Sequence, residues 1–313
     1  MTDDTHSRTQ MPGLDQAGAD GTAPSALDPR RWLALVVILV AGVMDLLDVT
    51  IVNVAAPGIL KDLQATYAQF EWVVSGYVLG FAALLITGGR LGDIFGRKRI
   101  FLIGVAGFTV ASALCGLAVS PAMLIAARFF EGAMAGLMVP QILAIIHVTF
   151  PLQERGKVFG IWGGVLGSAS VAGLIIGGVL VQWNLAGWHW RPIFLVNIPV
   201  GLAALAAAWF VVPESRSPAA LRLDLAGMVL AITGVLMLVY PLTEGRALGW
   251  PAWTFLLMGG SVVVMAVFVV YERWRTSRVG SPLVVLSLFR ARAFTAGMIV
   301  WTIFWIALGA SIE

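Results

Sequence analysis

Apolar residues in this chain do not alternate with polar ones; they fall in long unbroken runs separated by short polar breaks. The runs lie at residues 32–56, 72–89, 100–119, 122–148, 158–181, 193–212, 225–242, 253–271 and 294–310. A helix rises 1.5 Å per residue, so about 20 residues cross the ~30 Å hydrocarbon core of a bilayer. In hydrocarbon every backbone N–H and C=O needs an internal partner, which leaves helices or closed barrels, and runs without period-two alternation exclude the barrel. The pattern predicts an all-α polytopic membrane protein with eight spans and a ninth near the C-terminal end. Residues 1–29 are polar and rich in Asp, Ser, Thr, Gly and Pro, which predicts a disordered tail. The first apolar run begins at Trp32, after Arg30 and Arg31, and is too long for the core of a cleaved leader.

Composition narrows the function classes. Of 313 residues 59% are apolar and only 12% are charged, about half the ~25% of a soluble domain. An ordinary soluble enzyme and a nucleic-acid-coating protein are both excluded on that ground. A net charge of +3 is too near balance to imply an acidic partner. The single cysteine, Cys115, forms no internal disulfide. Basic residues give orientation. With the N-terminus inside, sixteen of the twenty fall on inner segments, three (Lys61, Arg191 and Arg246) on outer ones, and Arg128 within a span.

Four ionisable residues lie well inside spans: Asp45 and Asp48 in the first, Arg128 and Glu131 in the fourth. Each unpaired charge at mid-span costs about 2.5–3.5 kcal/mol on insertion scales, so they must be paired, hydrated or protonated. Asp48 lies about 12 Å and Asp45 about 16 Å from the outer end of their span, Arg128 about 10 Å and Glu131 about 15 Å from the same side. Each pair is spaced i, i+3 and shares a helix face. The depths match, so Asp48 is expected to meet Arg128, with Asp45 and Glu131 deeper. A buried structural ion pair is the plain reading. Three acids around one arginine leave surplus carboxylates, which favours a titratable site lining a polar cavity.

Two further stretches stand out. Gly89-Arg-Leu-Gly-Asp-Ile-Phe-Gly-Arg-Lys-Arg99 sits between spans two and three, with Asp93 placed to cap a helix start or pair with Arg97. The fifth span carries Gly160, Gly163, Gly164, Gly167, Gly173, Gly177 and Gly178, whose spacing suits close helix packing. His147 and His189 have no metal-ligand neighbours, and no phosphate loop, His-Glu-x-x-His or Gly-x-Ser-x-Gly elbow occurs. No enzyme, metal or cofactor is expected.

Residues 89–101 resemble the signature loop of the major facilitator superfamily, Gly-x-Leu-x-Asp-x-x-Gly-Arg-Lys, through Gly89, Leu91, Asp93, Gly96, Arg97 and Lys98. The first span resembles the Asp-x-Thr-x-x-Asn-x-Ala-x-Pro pattern of its fourteen-helix drug:proton antiporter branch through Asp48, Thr50, Asn53, Ala55 and Pro57. Arg128 with Gly132, Trp190 to Gly201, and Pro282-Leu283 with Leu288-Phe289-Arg290 resemble further motifs of that branch. In helix five Gly173, Gly177 and Gly178 are kept, whereas Leu174 stands where the antiporters carry proline and Ala169 where they carry glycine.

The resemblance implies a major-facilitator helix bundle. Residues 1–29 would be the cytoplasmic tail, 30–215 the N-terminal six-helix half, 216–275 two additional helices, and 276–313 a loop and ninth helix starting a truncated C-terminal half. It implies proton-coupled export of small lipophilic or cationic compounds across the cell (inner or plasma) membrane, with protons, a small-molecule substrate and the bilayer as partners and no nucleic acid. Asp48 would exchange the proton or substrate, tuned by Arg128, with Glu131, Asp45 and Asn53 beside it. Gly89, Asp93, Gly96, Arg97 and Lys98 would form the conformational latch, and Gly173, Gly177 and Gly178 a packing motif. Transport of another metabolite, or a truncated chain without transport, are the alternatives. Alone, the chain is expected to cover its cavity face by self-association, or else to aggregate or be degraded.

Overall fold

The computed structural model describes residues 29–183, 187–217, 224–246, 248–278 and 291–310. The expected tail at 1–28 and the motif at 282–290 lie outside them. The elements are α1 (Arg31–Val54), α2 (Ala56–Asp62), α3 (Tyr67–Phe95), α4 (Arg97–Gly116), α5 (Pro121–Thr149), α6 (Leu152–Trp183), α7 (Pro192–Leu195), α8 (Asn197–Val211), α9 (Leu225–Glu244), α10 (Ala252–Arg278) and α11 (Arg292–Ala310). No strand occurs among the described residues. Among the described residues, eight stretches are long and apolar enough to cross a membrane, with α7 and α8 together forming the sixth. This is a multi-pass membrane protein.

Every apolar run became a helix, and the helices outrun the apolar segments where local chemistry carries them on. Thr66 and Gln69 form a reciprocal capping box that starts α3 five residues ahead of its run. Ser120 caps α5 through the Met123 amide, with Pro121 in the first turn. The sixth span is broken at Val196 into α7 and α8, which the unbroken run did not foretell.

The end of the bundle carrying Arg97–Arg99 is called here the basic end. The core runs through α1, α3, α4, α5 and α8, and Phe101, Phe108, Met44, Met138 and Ile146 are fully buried in it. Large apolar side chains such as Val171, Ile175, Trp209 and Phe210 face outward, as in a chain whose surroundings are lipid.

The tightest packing is between α3 and α5. A Cβ on Gly80 would sit 2.9 Å from the Ala133 nitrogen, one on Gly88 3.0 Å from the Leu137 Cα, and one on Gly136 2.6 Å from the Phe81 carbonyl. Gly132 abuts the Tyr77 backbone in the same way. Lipid gives helices no hydrophobic drive to associate, so backbone-to-backbone van der Waals contact across small residues holds them. The glycines of the fifth span behave differently. Gly173 meets Thr50 and Gly177 meets Ile51 on α1, whereas Gly160, Gly163, Gly164, Gly167 and Gly178 have nothing within 4 Å. Among the described residues a Cβ on Gly178 would meet nothing within 4 Å, unlike one on Gly173 or Gly177.

Gly132→Val should destabilise the bundle by about 1–3 kcal/mol or more, since the wedge pushes on backbone rather than on a flexible side chain. Gly164→Ala should be neutral. Loss of monodispersity on heating in detergent, compared across the two variants, checks both.

Candidate functional site

Arg128, two turns into α5, is 1% exposed, as is Asp48 on α1, and Glu131 is fully buried. The Arg128 Nη1 donates to Asp48 Oδ2 and, at 2.8 Å, to Glu131 Oε2. Its Nε donates to the Val73 carbonyl of α3 at 3.3 Å. The guanidinium carbon lies 4.4 Å from the Tyr77 ring centroid and 5.6 Å from that of Phe194, so two aromatic faces complete its surroundings. The matched depths on α1 and α5 thus do place Asp48 on Arg128. Glu131, expected deeper on the same face, is joined to the same guanidinium, because i, i+3 spacing on one helix turns both side chains to one face.

The other acid of the first span behaves differently. Asp45 accepts a hydrogen bond from the Tyr77 hydroxyl, the ring that covers Arg128. Three carboxylates and one guanidinium are therefore linked through Tyr77. Asn53, expected near this group, is exposed and donates only to the Val49 carbonyl of its own helix.

Reading only ionisable residues missed the neutral polar partners. Asn197 is the first residue of α8, just past the break at Val196, and is 3% exposed. Its Nδ2 donates to Asp48 Oδ1 at 3.1 Å and to Ser112 Oγ at 2.8 Å, tying α8 to α1 and α4. The Cys115 thiol lies 3.4 Å from Glu131 Oε2. The usable signal was there: Tyr77, Ser112 and Asn197 are polar positions inside apolar runs, where a lone hydroxyl or amide needs a partner as much as a charge does.

Asp48 and Asn197 also form the polar wall of a cavity of about 570 Å³ between α1, α6 and α7–α8. The rest of its lining is apolar, including Val40, Met44, Ile161, Val165, Ile193 and Val200. An apolar chamber with a few convergent polar groups has the make-up of a small-molecule site.

The junction between α3 and α4 is tied down from two sides. Asp93 pairs with Arg97 at 2.9 Å. The start of α4 is capped not by Asp93 but by Glu214, whose Oε1 accepts from the Lys98 amide at 3.2 Å while its Oε2 lies 3.7 Å from Arg99. The Arg97 amide donates to the Ser215 carbonyl, the Ser217 amide to the Asp93 carbonyl, and Lys98 Nζ to the Trp209 carbonyl. Gly96 has φ +113°, and a side chain there would collide with Glu214. A Cβ on Gly89 would lie 3.8 Å from Pro140 of α5. Nothing before Glu214 in the sequence marks it as a partner 116 residues from Lys98.

Residues 38–312 match the family model of the Major Facilitator Superfamily. The chain belongs to the major facilitator superfamily. It is 45% identical over 292 residues to the probable actinorhodin transporter of Streptomyces coelicolor, covering 93% of this chain and 50% of the relative. It is 38% identical to the tetracenomycin C resistance and export protein of Streptomyces glaucescens (91% and 52% covered), and 36% identical to the multidrug resistance protein Stp of Mycobacterium tuberculosis (85% and 49%). The chain spans about half the length of these curated relatives. Among solved structures, the human organic anion transporter MFSD10 superposes with a TM-score of 0.53 at 16% identity, covering 67% of this chain and 55% of that one. A bacterial homologue of the lysosomal transporter Spinster superposes at 0.51 and 19%, covering 70% and 54%. Both show the superfamily's fold.

Arg128→Met should lower the amount of folded protein sharply, because it strands Asp48 and Glu131 as uncompensated buried carboxylates, a loss of about 3–5 kcal/mol. Asp48→Asn with Glu131→Gln in the same chain should recover part of it. Folded yield by size-exclusion chromatography of detergent extracts measures both.

Proposed function

We infer that this chain is the proton-handling part of an exporter of small lipophilic or cationic compounds, with Asp48 as the residue whose proton is exchanged for substrate. The observation that carries the reading is the surplus of carboxylates around one buried guanidinium. Arg128 is shared by Asp48 and Glu131, and Asp45 is one hydrogen bond away through Tyr77. A single cation cannot neutralise three carboxylates in a low-dielectric surrounding, so the group holds a proton or attracts a cation. The adjoining apolar cavity gives a lipophilic guest a place beside Asp48. Relatives named as a resistance and export protein and as a multidrug resistance protein support the direction of transport.

On this reading residues 30–215 form the N-terminal half, 216–275 two helices added to it, and 276–313 the start of the second half, with the N-terminus cytoplasmic in the cell membrane. The two halves of a transporter rock about a midplane site. The Gly89–Arg99 segment, expected as a loop, is formed by the end of α3, the break at Gly96 and the start of α4. Pinned through Asp93 and Glu214, it is the latch on the cytoplasmic face. Arg128 sets the charge of Asp48 and touches the other two acids directly or through Tyr77.

Transport in inverted vesicles from cells making a full-length, two-halved version of the transporter tests this. Asp48→Asn should abolish proton-driven uptake of a lipophilic cation such as ethidium, with membrane insertion unchanged. Wild-type flux in that variant would overturn the coupling role.

Asp93→Asn should slow exchange in the same vesicles while leaving substrate affinity within about twofold, because the residue lies at the bundle's end. A fall in affinity at an unchanged rate would place it at the substrate instead.

A further inference from the structure

At the end of the bundle opposite the basic one, α3, α9 and α10 meet in a row of aromatic rings. Tyr240 on α9 lies between Trp72 of α3 and Trp253 of α10, with ring centroids 5.5 and 5.8 Å away. On the mid-bundle side of this row is a cavity of about 350 Å³, lined by Leu79, Phe129, Leu236, Met237, Tyr240 and Leu257. On its other side stand two carboxylates. Glu71 immediately precedes Trp72, and Glu244 lies one helical turn beyond Tyr240, past the end of the apolar span at Leu242.

Glu244 is the unusual member. It is 7% exposed, and its Oε1 has no hydrogen-bond donor among the described residues. Burial and the nearby charge of Glu71 both push its carboxyl above the usual glutamate value. Arg246, the nearest cation along the chain, is exposed and forms no ion pair among the described residues. A covered carboxylate with one oxygen lacking a donor, and with a second carboxylate nearby, is costly unless something positive sits against it. Interfacial tryptophan and tyrosine are ordinary where a helix leaves the hydrocarbon. That accounts for the rings but not for the buried acid beside them.

We propose that this collar binds a lipophilic organic cation, with its charge between Glu244, Glu71 and the faces of Tyr240, Trp72 and Trp253, and its hydrocarbon in the cavity beneath. Ring faces attract cations through their quadrupole, and desolvation at the collar strengthens that attraction. The cavity is at the small end of ligand pockets and wholly apolar apart from the Tyr240 hydroxyl, which suits an organic body. A divalent metal ion is disfavoured, since it takes six or more oxygens and the collar offers two carboxylates. The site shares no residue with the Arg128 cluster; Phe129, on its wall, is turned about 100° around α5 from Arg128.

Equilibrium dialysis of tetraphenylphosphonium against the protein in lipid nanodiscs, with empty nanodiscs as the partition baseline, tests the proposal. Saturable binding is expected. Glu244→Gln and Tyr240→Leu should each weaken it about tenfold, the loss of a close charge or a ring face. Tyr240→Phe, which keeps the ring, should bind as wild type and shows that packing at the position survives. Asp62→Asn removes a charge at the same end, where it pairs with Arg191 at 3.5 Å, and should bind within about twofold. Absence of saturable binding, wild-type affinity in Glu244→Gln and Tyr240→Leu, or an equal loss in Asp62→Asn would each overturn the site. Because the readout is binding and not flux, a failure here is separate from a failure of proton coupling at Asp48.

Discussion

One buried guanidinium organises five of the first six spans. Arg128 bonds to α1 through Asp48, to its own helix through Glu131 and to the backbone of α3 at Val73, while Asn197 carries the network on to α8 and Ser112 on α4. Placing an arginine at mid-span costs several kcal/mol unless its charge is met. Meeting that charge fixes how four other elements sit around α5. The aromatic faces of Tyr77 and Phe194 keep the guanidinium enclosed by protein, so its pairs are not loosened by water.

Around that centre, packing and charge divide the work. Backbone contact across glycines sets the distance between α3 and α5, where nothing but van der Waals attraction is available in lipid. Hydrogen bonds and ion pairs then fix which way each helix is turned. α6 is the exception, since it touches α1 through Gly173 and Gly177 and through the Arg31–Glu154 pair at 3.0 Å, yet leaves most of its glycines uncovered. The large cavity beside Asp48 lies where this helix stands off from α8.

How far the sequence could be read differs from one level to the next. Spans were legible because length and apolar continuity are forced by the bilayer. The meeting of Asp48 and Arg128 was legible because depth along a helix is arithmetic. Which way a helix is rotated is not, so Asp45 turning to Tyr77, Asn53 turning outward and Gly178 meeting no neighbour had no local signal. Neutral polar partners were overlooked although Asn197 and Ser112 sit in apolar runs as plainly as the acids do. The cap from Glu214 depends on a contact between distant segments, and no window of sequence contains both sides of it. The break at Val196 did have a local signal in Pro199, which has no N–H for the Leu195 carbonyl.

The clasp at the α3–α4 junction has a consequence for how the chain comes apart. Main-chain bonds from Arg97 to Ser215 and from Ser217 to Asp93 close a circuit of about 120 residues that contains α4 to α8. Closing a loop of that length carries an entropic cost that grows only as the logarithm of its size, and it is met once for the whole circuit. A helix inside it cannot leave the bundle with a free end; it must either drag the circuit with it or unclasp it first. The segment from Asp93 to Ser217 therefore behaves as one cooperative unit, in which mechanical pulling from either terminus meets its resistance at the clasp before any enclosed helix is extracted.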